Sequence, residues 1–140
     1  MSIRYPLTLT PDDNDTLLVT CPDLPELTSW GEDEADALRH GADALAEAIA
    51  GRLVHFEDIP RPSAGAPTAA LDLQMTMKVL LLWALRDQGL TRADLQRLMG
   101  EHRPQIDRLF DPNHATRIDR YEAAFAALGR QVEIEVSRAA

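Results

Sequence analysis

A single cysteine, Cys21, stands in 140 residues. An intrachain disulfide is therefore excluded, and no CxxC pair or His/Cys spacing marks a metal site. Long apolar runs are missing too. The longest strongly apolar stretch, Val79 to Leu85 (VLLLWAL), falls well short of the roughly 18 residues that a membrane span requires. The N-terminal MSIRYPLTL alternates polar and apolar residues, unlike the continuous apolar core of a signal peptide. A soluble, cytoplasmic protein is the expectation. Positive charge is scarce as well: 14 basic residues face 23 acidic ones, for a formal net charge of -9. Nucleic-acid binding draws heavily on positive charge, so the chain taken whole is a poor match for it.

The deficit is not evenly spread. Residues 1–70 hold four basic residues, Arg4, Arg39, Arg52 and Arg61, against thirteen acidic ones, whereas residues 71–140 hold ten of each. All of the excess negative charge is N-terminal, which suggests two modules with different partners. The length suits one ordinary domain or two small ones. Halves of about 70 residues are marginal as isolated cores, so mutual packing or oligomerisation is expected.

Ile3, Tyr5, Leu7 and Leu9 alternate with polar residues or Pro6, the period of a half-buried strand. Pro11-Asp12-Asp13-Asn14-Asp15 is turn chemistry, and Leu17-Leu18-Val19 opens a second strand ending near Cys21, giving an antiparallel hairpin. Pro22-Asp23-Leu24-Pro25 breaks the pattern before a third strand from Leu27 to Trp30. Pro6 and Pro25 imply that at least one strand lies on an edge or bends. From Asp33, a suitable N-cap, the period lengthens: Leu38, Ala42, Leu45, Ile49 and Leu53 form one helical stripe ending near Val54. Residues 59–68 are proline-rich and read as a semi-extended linker. Leu71, Leu73 and Met75 alternate as a fourth strand. Helices then follow: one capped by Thr76 and stopped at Gly89, one from Thr91 to Gly100, one starting near Arg103, and one capped by Thr116 and closed by Gly129. Val132, Ile134 and Val136 alternate as a last short strand.

Leu90 to Phe110, LTRADLQRLMGEHRPQIDRLF, has the outline of a helix-turn-helix: two short helices around Gly100 and a polar second helix. Leu95 and Leu98 supply the inner face of the first helix, and Ile106, Leu109 and Phe110 that of the second. His102, Arg103, Gln105 and Arg108 are left to point outward. Arginine offers guanine a bidentate fork and glutamine pairs with adenine, so these four are the candidate base readers. Thr91, Arg92 and Arg117 sit at helix ends, where phosphates are held. Residues 91–120 carry six arginines and five acids, so one copy should bind weakly and paired half-sites are needed. Two features point to a dimer. Val79–Leu85, including Leu82 and Trp83, is apolar on all sides, and the terminal strand of Val132, Ile134 and Val136 has free edges.

In the acidic half, Asp12, Asp13, Asp15 and Asp23 could hold Mg²⁺ in a nuclease, but three of them lie where a polar turn favours Asp. No nucleophile or base stands at a persuasive spacing. Catalysis is not expected, nor is any cofactor or metal. Cys21 reads as buried, His40 and His55 as ordinary surface or packed histidines, and Trp30 as a core aromatic more than an interface anchor. The acidic surface suits a basic protein partner, since complementary charge speeds encounter.

Taken in order, Tyr5-Pro6, LLVTCPDLPELTSWGEDEADAL (Leu17 to Leu38) and Ile59-Pro60-Arg61-Pro62-Ser63 resemble the N-terminal domain of HicB antitoxins. MKVLLLWAL, RLFDPNHATRID and AALGRQVEIEV resemble the subgroup whose C-terminal domain is a helix-turn-helix. The resemblance covers nearly the whole chain. One departure is Glu26-Leu27 after Pro25, where many relatives carry Gly and a small or Cys residue.

The resemblance implies an α+β fold: a partial RNase H-like domain over about 1–75, then an all-α helix-turn-helix domain over 76–140 with a short C-terminal strand. It implies a type II toxin–antitoxin system in which the first domain neutralises a small basic HicA-type mRNA ribonuclease. The second domain would bind the operon's own promoter DNA as a repressor. It further implies self-association into dimers or tetramers. The alternative is a transcription regulator whose first domain senses a small ligand and has no toxin partner.

Overall fold

The computed structural model describes residues 3–139. The chain separates into two compact units, one ending at Thr76 and the other running from Met77 onward. No helix among the described residues is long and apolar enough to cross a membrane.

The first unit opens with β1 (Arg4–Pro6) and β2 (Thr8–Pro11). The expected single strand is thus split. Pro6 has no N–H to give a ladder; the Leu7 N–H still reaches the β5 side, donating to the carbonyl of Pro67 at 2.8 Å, and the partner changes at Thr8, which faces Thr20. β1 pairs antiparallel with β5 (Thr68–Ala70), Tyr5 opposite Ala69. β2 pairs antiparallel with β3 (Leu17–Thr20), which pairs with β4 (Thr28–Gly31) in the order β2-β3-β4. Leu9 faces Val19, and Leu18 faces Trp30. The β2–β3 connection closes with the N–H of Asp12 on Thr16 O at 2.9 Å. Asn14 (φ 68°) and Asp15 (φ 60°) take the left-handed conformation there, which Asn and Asp tolerate best after glycine. Backbone geometry therefore accounts for this acidic run.

α1 (Glu34–Val54) starts as its residues dictate, Asp33 accepting from the N–H of Asp36 at 2.8 Å. Its buried line is Ala37, Gly41, Leu45, Ile49 and Leu53, so the expected stripe is rotated in its first turns: Leu38 and Ala42 are only half-buried. Close approach explains the choice. A Cβ on Gly41 would lie 2.7 Å from Leu7 Cδ1 and 3.0 Å from Val19 Cγ1. At the β4–α1 junction the fit is tighter, since a Cβ on Gly31 would lie 2.2 Å from the backbone nitrogen of Ala37.

The proline-rich stretch is extended but pinned. Tyr5 donates its hydroxyl to Pro60 O at 2.6 Å, and Ser63 donates its N–H and hydroxyl to Asp23 at 3.0 Å each. Ile59 is buried. Burial, with the negative charge of Asp23 adding, pushes the Tyr5 hydroxyl pKa well above its ordinary value, which keeps it a donor. Ala66-Pro67 is a cis peptide.

The expected fourth strand at Leu71–Met75 is corrected. The strand is β5, three residues earlier, and α2 (Leu73–Asp87) already includes Leu73 and Met75. Its cap is Asp72, which accepts from the N–H of Met75 at 2.8 Å, whereas Thr76 lies buried inside the helix. An aspartate at the true boundary outcompetes a threonine one turn later.

The second unit continues with α3 (Arg92–Met99), α4 (Arg103–Arg108) and α5 (Ile118–Ala127). α3 packs on both α4 and α5. Leu82, Leu85, Leu95, Ile106, Leu109, Phe110, Tyr121 and Phe125 are among its buried residues. Thr116 does not cap α5; Arg117 holds the N-cap position without a side-chain bond. No strand forms at Val132–Val136: residues 130–139 have no regular structure, and Val136 is 91 % exposed. A strand needs a partner for its N–H and C=O groups, and no described residue pairs with this one.

Candidate functional site

The helix pair α3–α4 is built from caps. Thr91 accepts from the N–H of Asp94 at 3.2 Å, and Asp94 accepts from the N–H of Thr91 at 2.8 Å, a reciprocal capping box. The bond from the Thr91 N–H holds the Asp94 carboxyl below its usual pKa. Gly100 (φ 64°) ends α3 with its N–H on the carbonyls of Gln96 and Arg97, a left-handed stop that favours glycine. Two residues later Gln105 Oε1 accepts from the N–H of His102 at 2.9 Å, and Pro104 occupies the first turn of α4, where its missing N–H matters little.

His102, Arg103, Gln105 and Arg108 are all exposed. His102, Gln105 and Arg108 are spaced three apart, which places them along one face of a helix. The four differ in freedom. Gln105 already uses its carbonyl oxygen in the cap. Arg103 Nε lies 2.8 Å from Asp107 Oδ1, and the same oxygen is 3.3 Å from Arg92. Asp107 thus joins the start of α3 to α4. Partial burial, with Arg103 adding, holds the Arg92 pKa below its ordinary value. Arg108 forms no ion pair among the described residues. Arg117 pairs with Asp119 at 3.1 Å. Thr91 is spent as a cap, its side chain half of the box at the start of α3.

Two groups that the sequence reading did not single out hold this surface in place. Arg120 on α5 forks onto both carboxylate oxygens of Glu101 in the α3–α4 turn, and the pairing raises the Arg120 pKa. Lys78, the one lysine of the chain, is 0 % exposed. Its Nζ reaches Arg108 O at 3.2 Å, Leu109 O at 3.5 Å and Thr116 Oγ1 at 3.1 Å. The Tyr121 ring lies 5.4 Å from it. The ammonium therefore caps the C-terminal carbonyls of α4, where a helix carries its negative end. Desolvation pushes its pKa down to about 8, against an opposing pull from Asp111. A lone cation inside MKVLLLWAL was the available signal.

The expected dimerisation residues are not gathered together. Leu82 is 0 % exposed within a single chain, so it packs in the core of its own unit, and most of Val79–Leu85 is buried there with it. Trp83 is half-buried. Ile134 and Val136 are exposed and Val132 half-buried, without strand structure.

On the first unit, Trp30 is 53 % exposed, which corrects the expectation of a core aromatic. Among the described residues β4 has only one neighbour, so Trp30 lies on an edge strand, and its ring meets His40 edge-on at 6.1 Å. His40 Nδ1 is 2.6 Å from Trp30 O, and its Nε2 is 3.5 Å from Asp36. Cys21 is buried, which pushes its thiol pKa up. Glu26 and Arg52 make a two-pronged pair at 2.6 and 2.9 Å, and Arg52 also donates to Asp58 O at 2.9 Å. That pair lowers the Glu26 pKa. It borders an open groove of about 340 Å³ that also takes in Glu47, His55 and Glu57. Glu34, Asp43 and Glu47 stand exposed on α1. Among the described residues no three of His, Cys, Asp and Glu are grouped to hold a metal ion.

The chain thus joins an acidic sheet-and-helix unit to a helical unit with an arginine-bearing helix pair. Residues 4–80 match the family described as HicB-like antitoxin of bacterial toxin–antitoxin systems. The chain is 37 % identical over 141 residues to Antitoxin HicB of Escherichia coli, covering 94 % of this chain and 98 % of the relative. It is 33 % identical over 136 residues to Antitoxin HicB 1 of Photorhabdus laumondii, covering 96 % and 88 %. With Antitoxin HicB of Pseudomonas fluorescens the identity is 31 % over 128 residues, 86 % of each chain. The chain belongs to the HicB-like antitoxin family, whose members are not enzymes.

Proposed function

We propose that this protein neutralises a small basic HicA-type mRNA ribonuclease through its first unit and represses its own operon through its second. Segregation of charge carries this reading. The unit ending at Thr76 holds four basic and fourteen acidic residues, and the unit from Met77 holds ten basic and nine acidic. An acidic surface steers a basic partner into contact, while the second unit carries no net negative charge to repel a phosphate backbone. In this reading the first unit is a partial RNase H-like domain that masks the toxin, and α3–α4 is a helix-turn-helix with α4 in the major groove. His102, Arg103 and Gln105 read base edges, and Arg92, on the helix that Thr91 caps, and Arg117 approach phosphates. Near-neutral local charge makes a single copy a weak binder, so self-association supplies the second half-site. Val132, Ile134 and Val136, exposed or half-buried in one chain, can pair in the assembly, and Trp83 can contribute.

Two assays test this. A small basic open reading frame is expected next to the gene; its product should arrest growth and this chain, co-expressed, should restore it, and the purified chain should retard its own promoter in a gel. A chain that binds the promoter but no neighbouring protein would favour a ligand-sensing regulator instead.

A further inference from the structure

Between the end of α4 and the start of α5 lies a recess of about 280 Å³ whose walls include Gln105, Arg108, His114, Arg117 and Arg120, and no carboxylate. We propose that this recess seats a backbone phosphate of bound DNA, with Arg108 as its principal cation. The proposal rests on the DNA-binding reading and assigns Arg108 a different role from the base contact its outward position first suggested.

Three observations support it. First, the charges around the recess are unequally spent. Arg120 is forked onto Glu101 and Arg117 is shared with Asp119, whereas Arg108 is exposed and forms no ion pair among the described residues. Of the three described arginines that line the recess, it is the one without an ion pair to give up to an incoming anion. Second, Arg108 is the last residue of α4. In a helix-turn-helix the N-terminal residues of the recognition helix meet the bases, and six residues at about 1.5 Å each put Arg108 roughly 9 Å further along the axis from His102. Third, the carbonyls that would repel an anion there are already capped. Arg108 O accepts from Lys78 Nζ at 3.2 Å and from Thr116 Oγ1 at 3.3 Å. The negative end of α4 is thereby covered by a buried cation that bonds Arg108, Leu109 and Thr116, three residues lining the recess.

The test is salt-dependent binding of the full-length protein to a duplex of its own promoter and to duplexes with single base-pair changes, in the wild type and in Arg108→Ala, Arg108→Lys and Arg103→Ala. Binding of log K against log salt should lose about one unit of slope in Arg108→Ala, since each phosphate contact contributes about 0.9. Affinity should fall by a similar factor on every duplex, and Arg108→Lys should recover most of it, because a phosphate accepts a point charge where a guanine fork does not. Arg103→Ala should instead erase discrimination at one base pair with little change in slope. Loss of discrimination at a single pair in Arg108→Ala with the slope intact and no rescue by lysine would overturn the proposal. So would unchanged slope and affinity. A wild type that binds no promoter duplex would remove the DNA-binding reading and this proposal together. The Arg108 side chain forms no hydrogen bond or ion pair among the described residues, so the variants should stay folded, and a thermal melt of each checks that.

Discussion

Lys78 Nζ lies 3.1 Å from Thr116 Oγ1, and the same hydroxyl donates to Arg108 O at 3.3 Å. One buried ammonium on α2 thus ties the end of α4 to the loop before α5. The polar groups of this cluster satisfy one another, so the cluster persists despite the desolvation of a charge.

That charge has a pH signature. In the fold the Lys78 pKa is about 8, below its ordinary value of 10.5. Between those values the unfolded chain binds more protons than the folded one, so stability rises with pH across that window. The rise attributable to Lys78 is on the order of 3 kcal/mol at most. Cys21 and Tyr5, whose pKa values are raised, act in the opposite sense above pH 9. Chemical unfolding of wild type and Lys78→Met from pH 7 to 10.5 separates these effects, because only the difference between the two carries the lysine. A difference that stays flat with pH would mean that the ammonium is not desolvated.

Gly31→Ala should destabilise the first unit severely, by about 3 kcal/mol or more, because its Cβ would meet backbone at 2.2 Å and backbone cannot step aside. Gly41→Ala meets the side chains of Leu7 and Val19 instead and should be milder, about 1 kcal/mol. Denaturant midpoints rank the two, and the reverse order would contradict the close approach of α1 to β4.

Tyr5→Phe removes the donor to Pro60 O and keeps the ring. The expected loss is about 1 kcal/mol, together with faster amide exchange in residues 59–67. Unchanged exchange would show that the proline-rich stretch is held without this bond.

Local rules were legible in the chain where one side chain acts on its own neighbourhood. Asp33, Thr91, Gly100 and Pro104 each set a helix end as their chemistry directs, and the Asp12–Asp15 turn follows from left-handed residues. What was not legible depends on distant partners. The β1–β2 break follows from β5, more than sixty residues later. The rotation of the α1 stripe follows from Leu7 and Val19 pressing on Gly41. Thr116 reads as a cap by type, yet its hydroxyl is claimed by Lys78. Trp30 shows the same limit: a tryptophan reads as core when it lies on an edge. The candidate base readers were found as exposed residues, but the ion pairs that distinguish Arg103 from Arg108 appear only in three dimensions.

The proposed division of labour between an acidic toxin-binding unit and a DNA-reading unit is tested most directly by Arg103→Ala, assayed for promoter binding and for toxin inhibition in one folded preparation. The account predicts a loss of about 1–3 kcal/mol in promoter binding with toxin inhibition at the wild-type level. Equal loss of both activities would contradict it.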